Sequence, residues 1–381
     1  MPQARQASKE TVFTLMLLSF FWAFGNPVVN PLLPSIMEHF EITPVEATLL
    51  ITMYALPGIF IIPILGFLED RLGRKPILLG SLLLSIVAFF GISTAQSFGV
   101  MLAWRALQGL AATPIEALCY TLISDTFDSP EDRVRYLGYS TSILYVGVAV
   151  YPLISIAFLA LWGWRAAIAC PVVVAVILLP LCLRLPMRYH SSQFNTTAYL
   201  GNMRRLLTSR RLLSLFGVRM FISCIMFGAF HAYMPFMVTE KLGASLGTPG
   251  LLFSCFSAFL ALGSVFLAGF VKRGGVRKSG LLACLAMTLG LAGFGFAPSL
   301  LLLILPMCLF GFGTGSLSVL MTTQVSHCTS PDTRGSIMSL YSTAFRASQT
   351  LAAPIFSFFY LAGSFNLLYA GGVALCLLMT A

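Results

Sequence analysis

Five ionisable side chains lie inside long apolar stretches of this sequence, where a charge is costly. Placing a charged residue at the centre of a bilayer costs about 2.5–3.5 kcal/mol, so such residues usually serve a function. A buried carboxyl group can bind and release protons near neutral pH, and a buried guanidinium or imidazole can hold a polar ligand. The candidate proton-binding and ligand-binding groups are therefore Arg105, Glu116, Arg219, His231 and Arg346.

Glu116, the acid in this set, follows Arg105 by eleven residues. At about 100° per residue, a helix places the two side chains within about 20° of one face and about 16 Å apart along its axis. They cannot form a direct pair, so each should face a shared interior cavity and find partners elsewhere. We predict that Glu116 is the coupling carboxylate; the alternative is a permanently neutral or ion-paired structural acid.

The remaining interior cations are candidate substrate contacts with structural alternatives. Arg219 could instead extend to the membrane surface as an anchor, and His231 could be a hydrogen-bonded structural histidine. Arg346 lies deeper within its apolar stretch and is followed by Gln349 about one turn later. We predict that Arg346 and Gln349 also contact the substrate.

Two asparagines near the N-terminus add polar groups to this interior. Asn26 and Asn30 are four residues apart, so they share a helix face and could hydrogen-bond a polar substrate. They could equally satisfy backbone groups freed by Pro27 and Pro31. Three interior arginines against one glutamate favour an anionic, zwitterionic or neutral substrate over a cationic one.

The composition requires a lipid environment for these groups. Hydrophobic residues make up 58% of the 381 residues and charged residues 9%, against about 25% charged in soluble domains. We predict an all-α membrane protein with the lipid bilayer as its partner. Its twelve apolar segments are 12–34, 47–68, 76–95, 98–124, 136–160, 165–184, 212–238, 248–271, 279–297, 299–324, 337–361 and 365–381.

The polar stretch 185–211 divides these segments into an N-terminal half, 1–184, and a C-terminal half, 212–381. If both termini are cytoplasmic, 18 of the 23 lysines and arginines lie in cytoplasmic regions. This asymmetry predicts cytoplasmic termini. It also accounts for the net charge of +10 without nucleic acid as a partner.

A charged decapeptide between segments 2 and 3 recurs between segments 8 and 9. The first copy is Gly66-Phe-Leu-Glu-Asp-Arg-Leu-Gly-Arg-Lys75, and the second, 203 residues later, is Gly269-Phe-Val-Lys-Arg-Gly-Gly-Val-Arg-Lys278. Ser129-Pro-Glu-Asp-Arg133 likewise recurs as Ser330-Pro-Asp-Thr-Arg334. Repeats at nearly equal offsets indicate two halves built on one plan, as in many transporters.

These residues resemble the major facilitator superfamily, in particular its twelve-helix drug–proton antiporter-like branch. The first decapeptide is similar to the family's loop between helices two and three, and Arg105-Ala-Leu-Gln-Gly109 resembles its motif in helix four. The resemblance implies two six-helix bundles around a central cavity, a monomer, and a role for Arg105 in proton relay or cavity structure. We expect Arg105 to tune the protonation of Glu116.

The same resemblance implies a conformational latch in the first loop, where Asp70 would hold the cytoplasmic side closed. We expect Asp70 to pair with Arg133 or to face the start of segment 11, where a helix dipole favours negative charge. The second copy has Lys272 and Arg273 at the acidic positions, so it cannot act with the same sign. The predicted latch residues are Gly66, Asp70, Arg71, Gly73, Arg74 and Arg133.

One departure affects the expected direction of transport. Antiporters of the family carry a glycine-rich pattern in helix five, whereas this segment reads Gly147-Val-Ala-Val-Tyr-Pro-Leu-Ile-Ser-Ile156. Gly147 and Pro152 remain, and Tyr151, Ser155 and Ile156 replace the other glycines. We expect the bend of the helix to survive without its close-packing glycine face.

The sequence thus predicts proton-coupled efflux of a small amphipathic compound across a bacterial inner membrane. One alternative is export or import of organic anions or metal-chelating metabolites such as siderophores; a second is a non-transporting receptor or scaffold. An enzyme is not expected, because phosphate-loop, metal and catalytic-triad motifs are absent. The nine cysteines fall mostly in apolar segments and predict no disulfide framework. No cofactor is expected, and the coupling ion is expected to be a proton.

Overall fold

The computed structural model describes residues 8–127, 129–185, 201, 208–329 and 331–380, and these form helices without any strand. A 3₁₀ turn, Asn30–Leu32, joins α2 to α3, and π-helical stretches Met226–Ala232 and Met237–Lys241 flank α9. The helices are α1 Lys9–Trp22, α2 Gly25–Val29, α3 Leu33–Phe40, α4 Pro44–Leu72, α5 Arg74–Thr94, α6 Phe98–Thr126, α7 Pro130–Arg184, α8 Arg210–Ile225, α9 Met234–Phe236, α10 Thr248–Phe296, α11 Leu300–His327 and α12 Pro331–Thr380.

Each predicted apolar segment coincides with a helical stretch. Within the described ranges, seven helices are long and apolar enough to cross a membrane, or eight if the pair Lys9–Trp22 and Pro27–Phe40, bent by 53°, counts as one span. The helices α7, α10 and α12 have 55, 49 and 50 residues. Each would be more than about 70 Å long against about 30 Å of hydrocarbon, and each contains two predicted segments. The prediction of a twelve-helix membrane bundle is confirmed.

Glycines with positive φ mark the breaks between consecutive segments. Gly163 in α7 has φ 82° and ψ 174°, and Gly275 in α10 has φ 75° and ψ 167°. Gly73, between α4 and α5, has φ 79° and ψ 156°. Side chains other than glycine rarely adopt this backbone region. Gly73 and Gly275 lie within the two decapeptides, one position apart when the repeats are aligned, so each half has a break in the same loop.

The first segment is bent, as its prolines Pro27, Pro31 and Pro34 require. Residues of α7 hold the bent chain in place, because Tyr151 Oη donates to the Phe20 carbonyl (2.7 Å) and Ser155 Oγ donates to the Val28 carbonyl (3.0 Å). Two of the three residues that replace the family's helix-five glycines therefore hydrogen-bond the first segment.

The third replacement, Ile156, lies at the contact between the two halves. A Cβ on Gly250 of α10 would lie 2.4 Å from Ile156 Cδ1, and one on Gly247 would lie 2.9 Å from Ile156 Cγ2. The close approach that we expected to be lost is thus made by glycines of the partner helix. The halves also meet along α4 and α12, where Thr52 Oγ1 donates to the Thr350 carbonyl (3.2 Å).

The two ends of the bundle carry different contacts. Because α4 runs from Pro44 to Leu72, His39 and Arg74 lie at opposite ends, which we call the His39 face and the Arg74 face. At the His39 face, Arg165 donates to His39 (3.0 Å) and to the Ala95 carbonyl (3.3 Å).

The predicted linker 185–211 lies largely outside the described residues, so the division of the chain into two halves at this stretch stays a prediction.

Candidate functional site: a cavity between the halves

A cavity of about 500 Å³ lies between α4 and α6 of the N-terminal half and α12 of the C-terminal half. Its wall reaches Gly66 and Glu69 near the end of α4 and Ser336 near the start of α12, so it lies toward the Arg74 face. Apolar, hydroxyl-bearing and charged side chains share the wall. They are Ile62, Pro63, Leu65, Gly66, Glu69, Thr113, Glu116, Ala117, Tyr120, Thr121, Ser336, Met338, Ser339, Ser342, Phe345 and Arg346.

An ion pair across the two halves forms one wall of this cavity. Arg346 Nη2 on α12 donates to Glu116 Oε2 on α6. The Glu116 side chain is 28% exposed and that of Arg346 only 6%, so the carboxylate can be reached from the cavity while the guanidinium is enclosed. The pair therefore joins the halves at a point where a proton or a ligand could compete for it.

Neighbouring residues hold Arg346 in position for this contact. Its Nη1 donates to Gln349 Oε1 (3.1 Å), and Gly58 of α4 leaves room for its stem, since a Cβ there would lie 3.0 Å from Arg346 Cγ. Gln349 is buried behind Arg346 and does not line the cavity. Of these two predicted substrate contacts, Arg346 lines the cavity and Gln349 supports it.

Arg105 lies in a different cluster, wholly within the N-terminal half. It is fully buried, and it donates to the Leu50 carbonyl (3.0 Å), to the Gly25 carbonyl (3.2 Å) and to Gln108. It joins α6 to α4 and α2, so the geometry assigns the contact with Glu116 to Arg346 rather than to Arg105. The Tyr54 ring lies near both guanidinium carbons, 4.4 Å from that of Arg105 and 5.6 Å from that of Arg346.

A second polar contact between the halves lies outside the cavity. Asn30 Nδ2 donates to His231 Nδ1, and both side chains are buried. Oδ1 of Asn30 has no donor within the described structure. The side chain of Asn26 is outside the described residues, so the predicted joint action of Asn26 and Asn30 is open. His231 acts here as a contact between halves and does not line the cavity.

The halves are closed around this contact, toward the His39 face. The stretches 28–36 and 229–238 contain five and eight completely buried apolar residues, respectively: Val28, Val29, Leu32, Leu33, Ile36, Ala229, Phe230, Ala232, Tyr233, Met234, Phe236, Met237 and Val238. The structure therefore has a cavity toward the Arg74 face and a sealed core toward the His39 face.

Arg219 points into the bundle between α8, α11 and α12. Its Nη1 donates to Ser318 Oγ (2.8 Å), and its guanidinium carbon lies 4.6 Å from the centroid of the Phe345 ring. Because Phe345 lines the cavity, Arg219 lies directly behind the cavity wall. This position differs from that of an anchor at the membrane surface.

In the first decapeptide, Arg74 makes the main ionic contacts. Its Nε lies 3.3 Å from Glu69 Oε2, and its Nη1 pairs with Asp125 at the end of α6. Lys75 Nζ donates to the Leu183 and Leu185 carbonyls (2.6 and 3.2 Å) at the end of α7. Sequence reasoning missed Asp125, although an acid in the last turn of a helix that ends beside a basic loop is a usable signal.

The other predicted latch residues make local contacts. The Arg71 guanidinium carbon lies 4.8 Å from the Phe67 ring centroid, and Arg133 donates to the Phe127 carbonyl (3.2 Å). The side chain of Asp70 lies outside the described residues, so its predicted pairing with Arg133 is untested. In the second decapeptide, Lys272, Arg273 and Arg277 are exposed.

The described residues hold no group of three histidine, cysteine, aspartate or glutamate side chains that could bind a metal ion.

The two decapeptides supply a matched pair of substitutions. Arg74→Gln removes two ionic contacts that join α4, α5 and α6, so we expect a lower apparent melting temperature and slower transport. Arg277→Gln, at the equivalent exposed position, should change neither the melting temperature nor the transport rate by more than the experimental error. Thermal unfolding of the two purified proteins checks this; equal destabilisation would show that the first loop has no special role.

Comparison with known proteins agrees with this architecture. The model of the Major Facilitator Superfamily matches residues 15–241 and 216–381. The bacillibactin exporter of Bacillus subtilis is 30% identical over 161 residues, which are 41% of this chain and 40% of the relative. The class H tetracycline resistance protein of Pasteurella multocida is 28% identical over 148 residues, 38% of this chain and 36% of the relative. The matched segments thus span well under half of these relatives.

Solved structures share the fold over almost the whole chain. The nucleoside transporter NupG superposes with a TM-score of 0.80 at 15% identity, covering 97% of this chain and 98% of that one. A D-xylose-proton symporter superposes with a TM-score of 0.75 at 16% identity, covering 97% and 96%. With the family model matched in both halves, the chain belongs to the major facilitator superfamily.

Proposed function

We propose that this protein is a secondary active transporter that exports a small amphipathic compound by proton-coupled alternating access. The Glu116–Arg346 pair carries the proposal, because it joins the two halves at the wall of a cavity that lies toward the Arg74 face. Family membership supports transport over catalysis, and the relatives named as a bacillibactin exporter and a tetracycline resistance protein support export. No cofactor is required beyond the proton.

The proposed coupling step is protonation of Glu116. A neutral carboxyl group no longer attracts Arg346 as an ion, so the contact between α6 and α12 weakens and the halves can rearrange. In the present arrangement the cavity lies toward the Arg74 face, from which we propose that it is loaded. After rearrangement, the sealed contact at Asn30 and His231 would open toward the His39 face, and proton and cargo would exchange there.

The orientation in the membrane is part of the proposal. We place the Arg74 face and both termini in the cytoplasm of a bacterial inner membrane, because lysines and arginines concentrate in the connections assigned to that side. The cavity would then load its cargo from the cytoplasm. The contacts between the halves that this cycle opens and closes all lie within one chain, so we propose a monomer.

A second candidate function is the transport of organic anions or metal-chelating metabolites. Two guanidinium groups favour it: Arg346 at the cavity wall and Arg219 directly behind it. The bacillibactin exporter and the solved human organic anion transporter MFSD10, which superposes with a TM-score of 0.69 at 18% identity over 98% of both chains, are consistent with it. The described geometry offers no feature that favours a non-transporting receptor.

Glu116→Gln should abolish the component of transport that a pH gradient drives. The amide keeps the shape of the side chain but cannot bind the proton. The assay is uptake of tetracycline or bacillibactin into proteoliposomes with an acidic interior, with exchange at equal pH as the measure of intact binding. Glu131→Gln, at an exposed acid in the first turn of α7, is the matched control. Full gradient-driven uptake by Glu116→Gln would exclude the coupling role.

His231→Ala should increase the fraction of molecules in which the His39 side of the bundle is open. Loss of one buried hydrogen bond, worth about 0.5–1.5 kcal/mol, should raise opening about two- to tenfold. The readout is maleimide labelling of Ser35→Cys, a buried position on that side, in detergent and in a background without the native cysteines.

Ser19→Ala is the control for this labelling, because it removes a buried hydrogen bond to Ser140 within one half. It should leave the labelling rate of the cysteine at position 35 unchanged. An unchanged rate in His231→Ala as well would show that the Asn30–His231 contact does not keep this side closed.

A further inference from the structure

One guanidinium beside the cavity has no acidic partner. Within the described ranges, no carboxylate oxygen lies within 4.0 Å of Arg219, and its hydrogen-bond acceptor is the neutral Ser318 hydroxyl. Its Nε is buried and has no acceptor among these residues. A buried donor without an acceptor is unfavourable, so this edge of the guanidinium is suited to a group that another molecule supplies.

The geometry of the guanidinium identifies the chemistry of that group. Because Nη1 donates to Ser318, the Nε–H and the Nη2–H on the same edge of the guanidinium remain as two nearly parallel donors. This pair matches the two oxygens of a carboxylate, and a charge-assisted bidentate contact is stronger than a neutral hydrogen bond. The missing partner is therefore best matched by an oxyanion.

Arg219 is connected to the cavity through Phe345. The guanidinium carbons of Arg219 and Arg346 lie 4.6 and 5.9 Å from the centroid of this ring, which lines the cavity. Arg346 is engaged by Glu116, whereas Arg219 is within electrostatic range of Glu116 without pairing to it. An anion on Arg219 would therefore leave the Glu116–Arg346 pair in place.

We propose that Arg219 binds a carboxylate or similar oxyanion of the transported molecule, whose apolar body lies in the cavity against Phe345, Met338 and Tyr120. The proposal rests on the proposed function, since it assigns a substrate class to the same cavity: amphipathic organic molecules with an anionic group. Because Nε is buried in this conformation, the anion reaches it when a wall side chain moves. Phe345 is placed to do so, since it contacts the guanidinium and lines the cavity.

The test compares three probes with one ring system and different charge: 2-naphthoate, 2-naphthamide and 2-naphthylmethylammonium. Dissociation constants are measured by calorimetric titration of the purified full chain in detergent at pH 7, without a pH gradient. We expect 2-naphthoate to bind about tenfold or more tightly than 2-naphthamide, as a charge-assisted bidentate contact predicts. The ammonium probe should bind most weakly.

Arg219→Gln should remove the preference for 2-naphthoate and leave the affinity for 2-naphthamide unchanged, which also reports that the protein is folded. Arg219→Lys keeps the charge but not the paired donors, so it should keep only part of the preference. Arg210→Gln, at an exposed cation in the first turn of the same helix, should bind all three probes as the unsubstituted protein does.

The proposal is overturned if the unsubstituted protein binds 2-naphthoate no better than 2-naphthamide, including the case in which neither binds. It is also overturned if Arg219→Gln keeps the full preference for 2-naphthoate over 2-naphthamide. If Arg219→Gln does not fold, a full preference in Arg219→Lys overturns it instead. Proton coupling is judged separately. A Glu116→Gln protein with a normal preference and normal gradient-driven uptake would refute the coupling step and leave the anion site standing.

Discussion

The ion pair between Glu116 and Arg346 is the contact on which the arrangement of this molecule depends. Each charge is costly away from water, and each is stabilised by a partner in the other half. Breaking a fully buried pair by removing one member costs about 3–5 kcal/mol; the cost here is smaller because Glu116 is 28% exposed. The pair thereby links one carboxyl group of the N-terminal half to one guanidinium of the C-terminal half.

Much of the surrounding structure positions this pair. Gly58 admits the stem of Arg346, and Gln349 holds the guanidinium from behind. Tyr54 lies between Arg346 and the Arg105 cluster, and a Cβ on Gly109 would lie 1.9 Å from the Tyr54 carbonyl oxygen, so α4 and α6 pack closely there. The motif Arg105-Ala-Leu-Gln-Gly109 therefore acts as a support: its arginine ties three helices together, and its glycine lets two of them touch.

The spans, the repeat that relates the two halves and the interior charges could be predicted from the sequence. The length of the apolar segments, the spacing of the repeats and the cost of a buried charge are all signals that can be recognised along the chain. The sequence identified both Glu116 and Arg346 but could not pair residues that are 230 positions apart. It assigned the tuning of Glu116 to Arg105, which shares its helix face. The structure pairs Glu116 with Arg346, and a tuning role for Arg105 stays a prediction. Tyr54, Ser318 and Phe345 gave no signal, since aromatic and hydroxyl residues are common in every span.

A double-mutant cycle on Glu116 and Arg346 tests the central claim most directly. Gradient-driven uptake is measured in proteoliposomes for Glu116→Gln, Arg346→Gln and the double variant. If the two residues act as one coupling unit, each single substitution removes the gradient-driven component and the double substitution costs no more than either alone. Effects that simply add, or a single variant with undiminished gradient-driven uptake, would contradict the account.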